Sequence, residues 1–147
     1  MKQTNIVPLL KIMSQLRDPD SGCPWDNKQT FDSIVSHTIE EAYEVADAIE
    51  KKDFEDLKGE LGDLLFQVVF YAQLGKEQGL FEFQDIIETL NEKLIRRHPH
   101  VFNGQKFTDE KAVDANWEAA EEKERGLKAK QVHKIESVLD NIPKALP

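Results

Sequence analysis

An all-α helical bundle is the fold class predicted for this 147-residue chain, on three observations. Gly and Pro are few, at 7 and 6, and they cluster, so long stretches between them are free to be helical. Apolar residues recur at helical spacing through most of the chain. No segment keeps the alternation of a half-buried strand. Val68-Val69-Phe70-Tyr71 resembles one in isolation, but its flanks, ELGDLL (residues 60–65) and AQLGKE (residues 72–77), continue the helical pattern.

The elements follow in order. Ile6, Leu9, Leu10, Met13 and Leu16 form one stripe, which predicts a first helix over residues 5–17. Residues 17–27 (RDPDSGCPWDN) are dense in Asp, Pro and Gly and read as an ordered loop. A second helix is expected over residues 30–51, with Thr30 as N-cap and Ile39, Ala42, Tyr43, Ala46 and Ile49 inward. Lys51 and Lys52 suit its C-terminus, and Asp53 caps a third helix over residues 53–78, with Gly79 ending it. The middle of that helix, residues 64–72, is apolar nearly all round, which implies burial on more than one side and cover from a partner subunit. A fourth helix is expected over residues 83–97, with Ile86, Ile87, Leu90 and Leu94 inward, stopped by His98-Pro99-His100. Asp109 caps a fifth, acidic helix to Arg125. This places one domain over residues 1–128 and a tail or interdomain linker over 129–147.

Composition narrows the function classes. A net charge of -9 argues against a basic nucleic-acid surface. It does not argue against a nucleotide substrate, because a bound metal reverses the local sign of a carboxylate-lined pocket. No apolar run reaches the roughly 18–20 residues of a membrane span. The opening MKQTNIVPLLK lacks the apolar core of a signal peptide, and the single cysteine, Cys23, excludes an internal disulfide framework, so a cytoplasmic location is expected. Cys23 has no partner thiol and reads as part of a structural loop.

The chemistry is concentrated in acids. Glu41 with Glu44, and Glu60 with Asp63, are each spaced i, i+3, which puts each pair on one helix face. Such pairs ordinarily face water. Here Glu60, Asp63 and Gln67 share an arc of a helix whose other faces are apolar, and His37, Glu41, Glu44 and Ala48 form a similar arc on the preceding helix. A short connection favours antiparallel neighbours, so the two arcs are expected to meet. Converging carboxylates repel and hold their protons unless a cation is present. Mg²⁺, or Mn²⁺ as a substitute, suits an oxygen-only set, whereas di-iron bundles pair Glu with Glu-x-x-His units that are absent here. Mg²⁺ also keeps open positions that substrate phosphates occupy.

The pattern Glu40-Glu41-x-x-Glu44 followed by Glu60-x-x-Asp63 resembles the signature of the all-α nucleoside triphosphate pyrophosphohydrolases, and of the MazG family in particular. LRDPDSGCPWDNKQT (residues 16–30), DLKGELGDLLFQVVFYAQ (56–73) and KLIRRHPHVF (93–102) carry the likeness over essentially the whole chain. The resemblance implies a homodimer that hydrolyses a nucleoside triphosphate, standard or damaged, to the monophosphate and pyrophosphate with Mg²⁺. It implies Glu41, Glu44, Glu60 and Asp63 as metal ligands, and Glu40 as a neighbour that helps orient water or acts as base. Lys93 and Arg97 match positions that hold the triphosphate, with Arg96 beside them, and Trp117 matches an aromatic near the nucleotide. His37 and Lys58 sit where family members approach the nucleotide, and Trp25, Lys28 and Gln29 are candidates to cover the base. Neither nucleic acid nor membrane is an expected partner. Two departures accompany the likeness: it is to the first of two tandem domains, and Asp56 stands one turn before Glu60, where active relatives can offer a basic residue. The alternative reading is therefore a low-activity dimerisation or regulatory nucleotide-binding module of a two-domain MazG protein. The His98/His100 pair is a poor zinc site, the acids from Glu118 to Glu124 read as a solvated face, and Phe66, Phe70 and Tyr71 as core or dimer interface.

Overall fold

A computed structural model describes residues 2–104 and 110–132, with side chains as far as Leu127. The described residues hold seven helices and no strand: α1 (Val7–Leu16), α2 (Pro24–Lys28), α3 (Phe31–Glu50), α4 (Phe54–Glu77), α5 (Phe83–Arg97), α6 (Pro99–Phe102) and α7 (Glu110–Val132). The all-α class is as expected. The two helices beyond the expected five are short, and each opens on a proline, whose fixed φ and missing N–H suit a first turn. One of them, α2, replaces part of the loop expected over residues 17–27. The acidic helix α7 runs on past Arg125 to Val132, while its expected cap Asp109 and most of the expected tail lie outside the described residues.

The chain divides into two compact units, residues 1–86 and 87–147. The first is built on the α3–α4 hairpin. Thr30 caps α3 through a capping box, its hydroxyl accepting from Ser33 N–H at 3.2 Å while Thr30 N–H donates to Ser33 Oγ at 2.8 Å. Asp53 caps α4 by accepting from Asp56 N–H at 3.0 Å. Between them Lys52 takes a left-handed φ of 56°, so that Asp53 N–H reaches back to Ala48 O at 3.1 Å. Gly79, with φ 70°, closes α4 in the same way as Leu80 N–H reaches Gly75 O at 2.8 Å. Met13, Ile34, Val69, Phe70 and Leu74 form the core, with Leu9, Leu10, Phe31, Phe66, Tyr71 and Phe83 packed on it. Burying each large apolar side chain there contributes about 1.5–3 kcal/mol.

The inward stripe expected on α3 is corrected. Tyr43 and Ile49 are about half exposed, and the buried residues are Ile34 and Ala48. The row that meets α4 is offset by one position and passes through Thr38 and Glu41, so its polar middle hides it from hydrophobic periodicity. Leu90 and Leu94 of α5 are also exposed rather than inward. On α4, Val69, Phe70 and Ala72 are buried as expected, whereas Phe54, Leu61, Leu65 and Val68 leave an apolar face uncovered in the single chain.

In the second unit, α5 ends at Arg97 as the His-Pro pair requires, and Arg97 is its buried centre at 6% exposed. Its guanidinium pairs with Glu124, lies 3.5 Å from Glu121 and stacks 4.7 Å from the Trp117 ring. Arg96 reaches the same Glu124 at 2.6 Å, and Asn116 donates to Arg97 O at 3.2 Å.

Candidate functional site

The rows of α3 and α4 that face one another change character along the hairpin. Toward α1 the seam is apolar, with Ile34 in the same cluster as Phe70 and Leu74. One turn on, Thr38 meets Gln67 and Tyr71. Toward the α3–α4 turn, Glu41 meets Glu60 and Asp63, and one carboxylate oxygen from each lies within 4.8 Å of the others.

Among the described residues, the charged groups that act on these acids are mostly other acids. Burial pushes the Glu41 carboxyl above the usual glutamate range, and the charges of Asp63, Glu44 and Glu40 add to the effect, opposed only by His37. Glu60 is raised in the same way, by desolvation and then by Asp56, Glu44, Asp63 and Glu41, with no cationic group opposing. The donor chemistry fits a hard divalent cation, since three hard oxygens with unspent negative charge are what Mg²⁺ and Mn²⁺ take.

The other residues singled out in the sequence fall in several places. Glu44 contributes to the field on both Glu41 and Glu60 but is not among the clustered oxygens. Glu40 is exposed, with an oxygen 3.8 Å from His37 Nδ1. The His37 ring also meets Trp25, edge-on at 5.7 Å between ring centroids, so α2 brings its indole beside the acid-bearing helix. Lys28 is exposed, and Lys58 is paired with Glu55. Asp56 bears on Glu60, as its spacing of one turn suggests. Lys93, Arg96, Arg97 and Trp117 belong to the second unit, where Arg96, Arg97 and Trp117 are already engaged with Glu121 and Glu124.

One group was missed from sequence. Arg17 makes a two-pronged contact with Glu77, at 3.0 Å and 2.6 Å, and donates to Asp26 O and Gln29 O at 2.6 Å and 3.2 Å. It therefore ties the Trp25 segment to α4. Glu77 lies 60 residues from Arg17, so no local spacing rule could have paired them.

Comparison with known proteins places this geometry. The MazG nucleotide pyrophosphohydrolase domain matches residues 29–102, which include every acid of the seam and Lys93, Arg96 and Arg97, but neither Trp25 nor Trp117. The chain is 54% identical over 139 residues to the nucleoside triphosphate pyrophosphohydrolase of Escherichia coli K12, covering 95% of this chain and 51% of that protein. It is 48% identical over 130 residues to the nucleoside triphosphate pyrophosphohydrolase/pyrophosphatase MazG of Thermotoga maritima, covering 87% of this chain and 49% of that protein. The chain thus spans about half the length of these curated relatives. A crystal structure of a mazG-related protein from Thermotoga maritima superposes with a TM-score of 0.64 at 26% identity, over 79% of this chain and 98% of that one. The helical hairpin, the acids in its seam and the domain match over half of the sequence agree, and the chain belongs to the MazG nucleotide pyrophosphohydrolase domain family.

Proposed function

We propose that this chain is a nucleoside triphosphate pyrophosphohydrolase domain, hydrolysing a nucleoside triphosphate to the monophosphate and pyrophosphate. The observation that carries the reading is the meeting of Glu41, Glu60 and Asp63 in the α3–α4 seam. Relatives 54% and 48% identical to the chain bear that activity as their name. Glu41, Glu60 and Asp63 would hold Mg²⁺, with Mn²⁺ as a substitute, and Glu44, on the same face of α3, would join them. When bound, the cation supplies charge to neutralise phosphate oxygens and to acidify the attacking water. Glu40, beside Glu41 on the same helix, would orient the attacking water and accept its proton. Positioning and electrostatics are most of what phosphoryl transfer requires.

Lys93, Arg96 and Arg97 bind the triphosphate, with phosphate oxygens taking over the role that Glu124 plays for the two arginines. His37 with the edge-on Trp25 offers an aromatic surface for the base, Lys28 and Lys58 are further candidates to meet the nucleotide, and Trp117 is a candidate aromatic near it. The exposed faces of Tyr43, Ile49, Leu61, Leu65 and Val68 support a homodimer in which a second copy covers them. No described helix is long and apolar enough to cross a membrane, and the acidic chain is read as a cytoplasmic protein that takes nucleotides rather than nucleic acid.

The uncovered apolar face and the half-length match also favour a second reading, a low-activity dimerisation or regulatory module of a two-domain protein. One assay separates the two. The 147-residue chain is incubated with each nucleoside triphosphate and Mg²⁺, and the products are resolved. Monophosphate and pyrophosphate are expected. Diphosphate and phosphate would sink the activity, and intact nucleotide with a folded dimer would favour the module.

A further inference from the structure

Arg17 has no part in the reaction proposed above, yet its side chain is only 10% exposed and all three guanidinium nitrogens are engaged. Nε and Nη2 donate to the two Glu77 oxygens, while Nη1 donates to Asp26 O at 2.6 Å and to Gln29 O at 3.2 Å. Those carbonyls lie at the end of α2, where helix geometry leaves acceptors in need of outside donors. A planar guanidinium fixes the angle between its arms, so the pairing with Glu77 on α4 aims Nη1 at α2. An ammonium has no such fork and would not set that angle.

What α2 presents is Trp25, 50% exposed although its segment is tightly held. Asn27 Nδ2 donates to Asp18 O and Cys23 O, Gln29 Nε2 donates to Trp25 O at 2.9 Å, and a Cβ on Gly22 would collide with Leu16 O. The indole meets His37 edge-on, and such a contact covers at most one face of either ring. His37 precedes Glu41 by four residues on α3, and it opposes the neighbouring acids at the Glu41 carboxyl. A flat aromatic surface is thus held one helical turn from the carboxylates. Such a surface binds best when it is fixed before the ligand arrives, because binding then costs little ordering entropy.

We propose that Arg17, gripped by Glu77, is a positioning residue for recognition of the nucleobase: it holds α2 so that Trp25 and His37 form a preset stacking surface beside the cation site. The proposal rests on the nucleotide reading given above. Arg17 acts through Trp25, and so on binding of the base rather than on the chemical step. Inorganic triphosphate carries the phosphates without a base and does not use this surface.

The test is steady-state hydrolysis of each nucleoside triphosphate by the full chain with Mg²⁺, with inorganic triphosphate as a competing inhibitor. Each variant is assayed at a temperature where circular dichroism shows it folded. Stacking of a base on an aromatic ring accounts for about five- to a hundredfold in affinity, and Trp25→Ala should raise KM within that range. Arg17→Met should raise KM by about fivefold or more and leave kcat within about twofold, the mark of lost binding common to ground and transition states. The inhibition constant of inorganic triphosphate should not change. A merely structural arginine would lower stability and leave KM alone, or weaken nucleotide and inorganic triphosphate alike. Glu77→Gln keeps an acceptor oxygen but loses the charge, and should raise KM by a smaller factor. It decides the matter if Arg17→Met does not fold. Wild-type KM in the folded variants, with KM raised in Trp25→Ala, would overturn the role of Arg17 and leave the base surface standing. Wild-type KM in Trp25→Ala would overturn the base surface and this role with it. Absence of hydrolysis by the wild type would overturn the activity and this inference together.

Discussion

Two sets of carboxylates in this protein respond to their surroundings in opposite directions. In the α3–α4 seam, Glu41 and Glu60 face other acids, and burial with like charge raises both above the usual glutamate range. Glu77 in the first unit and Glu124 in the second face guanidinium groups, and hydrogen bonds from Arg17 and Arg97 lower them. The residue type is the same, and the partner decides the sign. The arginine-bound acids are already satisfied and hold segments together, Arg17 the Trp25 segment and Arg97 the α5–α7 contact. The seam acids retain an unmet demand for positive charge, which is where a cation or a cation-bound phosphate has most to gain.

That contrast can be broken most sharply by activity. Asp63→Asn removes a seam charge, and kcat should fall on the order of a thousandfold, because the charge stabilisation at stake is several kcal/mol and each 1.4 kcal/mol is a factor of ten. The helical circular dichroism should persist, and metal-free stability should hold or increase as repulsion is relieved. Undiminished turnover would place the reaction elsewhere.

Arg17→Met tests the satisfied set, and here stability should fall. The loss should lie between the ~1 kcal/mol of an exposed pair and the ~3–5 kcal/mol of a buried one, since Arg17 is largely covered and Glu77 only partly so. Urea unfolding measures it, and an unchanged midpoint would mean that the Trp25 segment does not depend on this contact.

The pH dependences should run in opposite senses. Glu77 is more acidic in the folded chain, so its stabilisation is present above the usual glutamate range and lost as pH falls below that range, through the lowered folded-state value. The gap in unfolding midpoint between wild type and Glu77→Gln should close on acidification. Glu41 holds its proton more tightly when folded, so its contribution is present at low pH and lost as pH rises. In EDTA, Glu41→Gln should therefore match the wild type at low pH and exceed it near neutrality. Parallel profiles for the two variants would erase the distinction between the sets.

The smallest expected effect is at the turn that joins the two acid-bearing helices. Lys52 holds φ 56° without being glycine, which costs about 1–2 kcal/mol, partly offset by the entropy that glycine would lose. Lys52→Gly should gain a little under ~1 kcal/mol by urea unfolding and leave the seam acids in register. A loss of stability would show that the lysine side chain matters more than its backbone strain.

The helix ends were legible because their causes are local. Thr30 with Ser33, Asp53 with Asp56, Gly79 after Glu77 and Pro99 after Arg97 each act within a few residues, and each stands where its chemistry requires. Glu41, Glu60 and Asp63 were also legible, because i, i+3 spacing and a short turn suffice to make two acidic arcs meet. Glu44 shares that spacing but stays outside the cluster, a matter of how the two helices are rotated about their axes. The same rotation turned Tyr43 and Ile49 outward and chose the row through Ile34, Thr38 and Glu41 as the contact. Local chemistry in the sequence determined where each helix starts and stops and which side chains share a face. Only the tertiary structure decided which of those faces meet, because helix rotation follows from the packing of Phe70, Ile34 and Met13. That packing brings Arg17 to Glu77 and Thr38 to Gln67 across separations that no spacing rule spans.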